Sequence, residues 1–186
     1  MAYATLADLK SYLGIETTDD DAILQQLLGA AQALIDRWCR RTFEADEDSA
    51  RTFDADDVAG DLLLFGADLC AVTLVVEGDS TLTRGTDYLT RPRHDDDAPW
   101  WGLKRIDTTW SADSDIVVTG RWAYATSAPA DIEQATKRLA AYLYRQKDNA
   151  GGDLDRTIIA GNTTILPAAW PADVERMLRP FRRVTA

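Results

Sequence analysis

Between Ile23 and Trp38 the apolar residues Ile23, Leu24, Leu27, Leu28, Ala31, Leu34, Ile35 and Trp38 recur at steps of three and four. That is the period of an α-helix with one apolar side. Such a helix draws most of its stability from burying that side, so the rest of the chain has to supply a cover. Asp19, Asp20 and Asp21 stand before it. They read as capping residues and as negative charge at the positive end of the helix dipole. Arg37, Arg40 and Arg41 fall in its last turn, where cations suit the dipole. A shorter helix over residues 6–13 comes first. Thr5 and Asp8 make a capping-box-like pair, Leu6, Leu9 and Leu13 form its stripe, and Gly14 ends it.

After Glu44 the helical period is lost. Residues 51–54, 62–65, 71–77, 81–83, 87–91, 104–107 and 116–122 read as short strands rich in Val, Ile, Thr and aromatics, separated by Gly, Asp and Ser. Glu77-Gly78-Asp79 marks a hairpin turn. Residues 92–102, with Trp100-Trp101 inside them, have no period and read as an exposed loop. A third helix follows Pro129, with Ile132, Ala135, Leu139, Tyr142 and Leu143 as its buried face, and stops near Asn149. Residues 153–169 read as loop with a short strand around Ile158-Ile159. A last helix starts at Pro171 and stops before Pro180. The expected class is α+β: a small helical bundle from residues 1–43 and 129–186, carrying a C-terminal arm, with residues 44–128 as an inserted antiparallel β module.

The 186 residues hold 31 acids, 20 bases and one His, a formal net charge of −11, and 46% of them are hydrophobic. This suits a packed core and excludes a disordered chain. No apolar run approaches the roughly 20 residues of a membrane span, and the first residues lack the blocks of a secretory signal. The charge is uneven. Residues 44–61 hold eight acids and one base, whereas residues 129–186 hold seven acids and nine bases. General DNA binding needs clustered positive charge, which such a chain lacks overall. Cys39 and Cys70 sit alone in apolar contexts and read as buried free thiols. The single His94, the absence of Gly-x-Ser-x-Gly and the absence of phosphate-loop glycines leave no motif for catalysis or nucleotide binding. Asp95-Asp96-Asp97 lacks the alternation of a calcium loop and reads as solvated charge. No enzyme activity, metal or cofactor is expected.

Contact chemistry is better represented. Arg176, Arg179, Arg182 and Arg183 crowd the last eleven residues around Phe181. Arginine suits bidentate pairing with carboxylates across interfaces, and Phe181 can anchor such a contact. Trp100 and Trp101 form a second candidate contact.

Three stretches carry a resemblance to a known family. The first is Leu6-Ala-Asp-Leu-Lys-Ser-Tyr-Leu-Gly-Ile15 with the acidic turn and the helix running to Arg41. The second is Val117-Val-Thr-Gly-Arg-Trp-Ala-Tyr124, followed by Ala128-Pro-Ala-Asp-Ile132 and a helix ending Ala141-Tyr-Leu-Tyr-Arg145. The third is the ending Val174-Glu-Arg-Met-Leu-Arg-Pro-Phe-Arg-Arg183. In this order they resemble the head–tail connector (adaptor, or head-completion) proteins of tailed bacteriophages. The turn here reads Gly-Arg-Trp-Ala-Tyr where the family has a Gly-Tyr/Phe-Gly form.

The resemblance implies a structural, non-enzymatic virion neck component, found in the host cytoplasm during assembly. It implies a ring of about twelve copies beneath the portal protein, extending the DNA channel and docking the next neck protein, a stopper or tail terminator. Double-stranded DNA would pass without specific binding, and no membrane is involved. Arg176, Arg179, Phe181, Arg182 and Arg183 are then expected to touch the portal or a neighbouring subunit, so that deleting residues 176–186 abolishes docking and leaves the subunit folded. Trp100 and Trp101 are expected to touch a neck partner. Some of Glu44, Asp46, Glu47, Asp48, Asp54, Asp56, Asp57 and Asp61 are expected to face the bore or a neighbouring basic surface. The competing readings are another neck protein, a stopper or tail-completion component, an acidic mimic of DNA that blocks a host enzyme, and a small hydrolase with a carboxylate pair.

Overall fold

A computed structural model describes residues 3–93, 98–111, 113–147, 158–160, 163–165 and 171–183. The chain divides into two compact units, residues 1–40 with 129–186, and residues 41–128. The class is α+β, with helices towards both chain ends and antiparallel sheets between them. Among the described residues no helix is long and apolar enough to cross a membrane.

The first unit holds α1 (Leu6–Leu13), α2 (Asp21–Cys39), α3 (Ala130–Lys147) and α4 (Ala172–Leu178). Thr5 caps α1 in a full capping box with Asp8, and Gly14 closes it in the left-handed region. The capping hydrogen bonds hold the Asp8 carboxyl below its ordinary range. α1, α2 and α4 all pack on α3, and α1 also packs on α2. The core comprises Leu9 of α1, Leu24, Leu28, Ala31 and Ile35 of α2, Ile132 and Leu139 of α3, and Val174 and Leu178 of α4. Thr136 is fully buried in α3 because its hydroxyl donates to the Ile132 carbonyl at 2.8 Å.

Two expectations for α2 need correction. Asp20 takes the N-cap position but makes no side-chain cap hydrogen bond. Its carboxylate accepts the Tyr144 hydroxyl of α3 at 2.6 Å, and Asp21 accepts from the Lys10 ammonium of α1 at 2.6 Å. The acids at this end therefore tie helices together as well as meeting the dipole. Ile23 and Leu34 are exposed, so the apolar stripe is wider than the face that packs.

The second unit holds β1 (Ser49–Phe53), a 3₁₀ turn (Ala55–Asp57), β2 (Val58–Ala59), β3 (Leu62–Leu69), β4 (Ala71–Glu77), β5 (Ser80–Leu82), β6 (Tyr88–Arg91), β7 (Trp100–Arg105) and β8 (Ile116–Arg121). One antiparallel sheet runs β1-β8-β4-β5 and the other β2-β3-β7-β6. Inward residues of both, including Phe53, Leu63, Phe65, Val75, Leu103, Ile116 and Val118, make one core. Phe53, Phe65 and Trp122 form an aromatic cluster in it, with Phe65 edge-on to Trp122 at 4.9 Å. Gly78, with φ +57°, opens the two-residue hairpin loop between β4 and β5. Among the described residues of this unit eight strands form where the sequence predicts seven. Trp100, Trp101 and Gly102 belong to β7 and not to a loop. Gly120 lies within β8 and not in a turn, and the position takes glycine because a Cβ there would press on the Ala71 carbonyl oxygen.

In the 153–169 stretch, β9 (Ile158–Ala160) and β10 (Thr163–Ile165) pair as a small hairpin. His94, Asp95, Asp96, Asp97 and the end of α3 near Asn149 lie outside the described residues.

Candidate functional site

The carboxyl-terminal arm is built on α4. Val174 and Leu178 anchor it in the core, and Arg138 of α3 pairs with Asp173. One 3₁₀ turn, Arg179–Phe181, follows. The Arg183 amide then donates to the Cys39 carbonyl at 2.9 Å, and the Arg182 guanidinium lies over the Trp38 ring at 5.4 Å. The arm is thus held against the end of α2. Arg176, Arg179 and Arg182 are exposed, while Phe181 and Arg183 are half-buried. The expected deletion of residues 176–186 needs correction as a test, because it removes the fully buried Leu178 and would damage the fold.

The acids of residues 44–61 fall into two groups. Several have local work. Glu44 accepts from the Ala128 amide at 3.2 Å. Asp48 accepts the Thr73 hydroxyl and faces Arg121 at 3.6 Å. Asp54 and Asp57 cap the 3₁₀ turn reciprocally, and Asp61 pairs with Lys104 at 2.9 Å. Asp46, Glu47 and Asp56 are exposed. Glu47 and Asp56 bracket β1, an edge strand whose first four residues are exposed.

The two adjacent tryptophans part company. Trp100 is 5% exposed, sits opposite Leu69 of β3 and is covered by Arg84, whose guanidinium lies 4.7 Å from the ring. Trp101 is 41% exposed. Only Trp101 is available as a surface anchor.

Sequence reasoning missed a cationic cleft of about 660 Å³ beside β6 and β7. Arg91, Arg93, Lys104 and Arg105 line it, with Asp61 and Asp107 as its acids. Arg105 pairs with Glu77 at 3.2 Å and lies over Trp110 at 5.4 Å. A window count hides this cluster, because residues 62–128 carry ten acids against six bases. Only the antiparallel pairing of Tyr88–Arg91 with Gly102–Arg105 gathers the cations.

Among the described residues no group of three or more His, Cys, Asp or Glu could hold a metal ion. Cys39 and Cys70 are buried and form no disulfide. Burial pushes the Cys70 thiol up, which keeps it from being a ready nucleophile at neutral pH.

The sequence matches the head completion protein family over residues 2–184. No curated protein sequence matches it. Solved structures share its fold. The neck of an empty gene transfer agent (GTA) particle, computed with C6 symmetry, contains a chain 18% identical, with a TM-score of 0.63 over 99% of this chain and 91% of that one. The neck of the native particle, computed with C12 symmetry, gives 17% identity and a TM-score of 0.61 over 97% and 89%. The virion of the native particle gives 19% identity and 0.62 over 99% and 91%.

Proposed function

Because the chain belongs to the head completion protein family, we propose that it is a structural neck component of a phage-like particle. It acts as an adaptor: a ring of copies beneath the portal that lengthens the DNA channel and receives the next neck protein. The observation that carries this reading is the family match across residues 2–184, joined by a shared fold with neck chains of a particle computed with C12 symmetry. The ring would hold about twelve copies.

The charge fits that work. At −11 per chain, twelve copies would carry about −130 formal charges before screening. A negative wall repels the phosphate backbone, and each cation–phosphate contact avoided is one fewer source of friction as DNA moves. Asp46, Asp48, Asp54 and Asp57 are the acids assigned to that wall. Arg176, Arg179 and Arg182, presented on an anchored arm with Phe181 and Arg183, are assigned to the portal. Trp101 is assigned to the tail-side partner.

The test adds the purified protein to DNA-filled heads that carry a portal and lack this component. Electron microscopy should show a new ring of twelve-fold symmetry beneath the portal. Heads whose necks gain no density would reject the adaptor role.

A further inference from the structure

We infer that the cationic cleft beside β6 and β7 receives carboxylates from a second copy of this chain, namely the exposed Glu47 and Asp56 that bracket β1. The inference rests on the ring reading, since it requires identical copies side by side. Copies that each carry −11 repel one another, and local pairing of opposite charge is one direct way to offset that repulsion. The cleft supplies the positive half. Of its four cations, Lys104 and Arg105 already have partners in Asp61 and Glu77. The guanidinium groups of Arg91 and Arg93 make no ion pair or hydrogen bond with the described residues, and Arg93 is exposed. Two guanidinium forks that have no partner among the described residues, in an open groove, suit carboxylates, which they grip in pairs of parallel hydrogen bonds.

The negative half lies in residues 44–61, where eight acids face one base. Glu47 and Asp56 are exposed, and their side chains take no part in the capping and ion pairs that occupy Asp48, Asp54, Asp57 and Asp61. A contact between one patch and a different patch on the next copy is heterologous, the type that closes rings. The alternative occupant is a DNA phosphate. A chain of this net charge disfavours it, and it enters as an outcome of the test.

The test uses the full chain in sedimentation velocity over a concentration series, at low salt and at roughly 0.5 M NaCl, where surface pairs are strongly screened. The expected result is self-association that weakens with salt. R91E/R93E and E47R/D56R should each weaken it by roughly tenfold or more, and an equimolar mixture of the two variants should restore it, because each then meets a complementary patch. Circular dichroism melts should match the wild type, since these side chains are outward, and R93E alone serves if the double change disturbs β6. A wild type that stays monomeric throughout overturns the inference, as do variants that associate normally or a mixture that fails to recover. Retardation of a short DNA duplex by the wild type and not by R91E/R93E overturns it in favour of a phosphate site. Ring formation on portal-bearing heads is scored separately. Rings built equally well by R91E/R93E would sink this inference alone, and self-association without any neck density would sink the adaptor reading alone.

Discussion

Asp36 sits half-buried on α2, where its carboxylate accepts the Tyr3 hydroxyl at 2.6 Å. Burial raises its pKa above the ordinary 3.8, and the Tyr3 hydrogen bond opposes this less strongly. A raised folded-state pKa means that the protonated form favours folding. The contribution is complete below the ordinary carboxylate pKa and is lost as pH rises through the higher folded value. At neutral pH the ionised Asp36 therefore weakens the fold. Asp36→Asn keeps an acceptor for Tyr3 and removes the charge. Its Tm should exceed the wild type's at pH 7 and converge with it near pH 4, which melting by circular dichroism at the two pH values checks. Gly120 works by shape. An added Cβ would meet the Ala71 carbonyl oxygen and stand 3.1 Å from Leu69 Cδ1. Gly120→Ala should cost about 1–3 kcal/mol, as overpacking does, read from urea unfolding. The sequence shows that glycine but not its reason, because the pressing strand lies about fifty residues away.

Helical elements were legible because their signals are local. The Thr5–Asp8 box, the Gly14 stop and the spacing of Leu24, Leu28, Ala31 and Ile35 all lie within one element. Thr5→Ala should cost about 1 kcal/mol, as loss of a cap usually does, and amide exchange in the first turn of α1 should quicken before exchange elsewhere. β7 was less legible. It begins at Trp100, directly after Pro99, and Gly102 interrupts its apolar pattern, so its first half resembles loop. Its pairing with β3 and β6 makes it an inner strand. The two tryptophans consequently test different things. Trp100→Ala should cost about 3–5 kcal/mol by emptying a core site. Trp101→Ala should leave stability within about 0.5 kcal/mol, as surface changes do, and should weaken neck assembly if it is a contact. Paired melts and assembly assays separate the two.

For the whole molecule, the strongest handle is the arm. R176E/R179E/R182E leaves Val174 and Leu178 in place, so the chain should fold normally while its docking to portal-bearing heads falls at least tenfold, the usual result of replacing attraction by like charge; pelleting of heads with labelled protein measures it. The arm's basic character was visible in the sequence because its four arginines fall within eight residues, Arg176 to Arg183. The cleft at β6 and β7 was not, because its cations meet only through strand pairing. The β unit is closed where its chain enters and leaves. The Tyr124 amide donates to the Thr42 carbonyl at 2.8 Å and the Ala125 amide to the Phe43 carbonyl at 3.2 Å. The strands of this unit thus leave and return through one doorway, stitched shut by two main-chain bonds. A cassette fastened at its own ends in that way is interchangeable within: its loops can lengthen, shorten or be replaced wholesale while those two bonds keep the entering and leaving strands together.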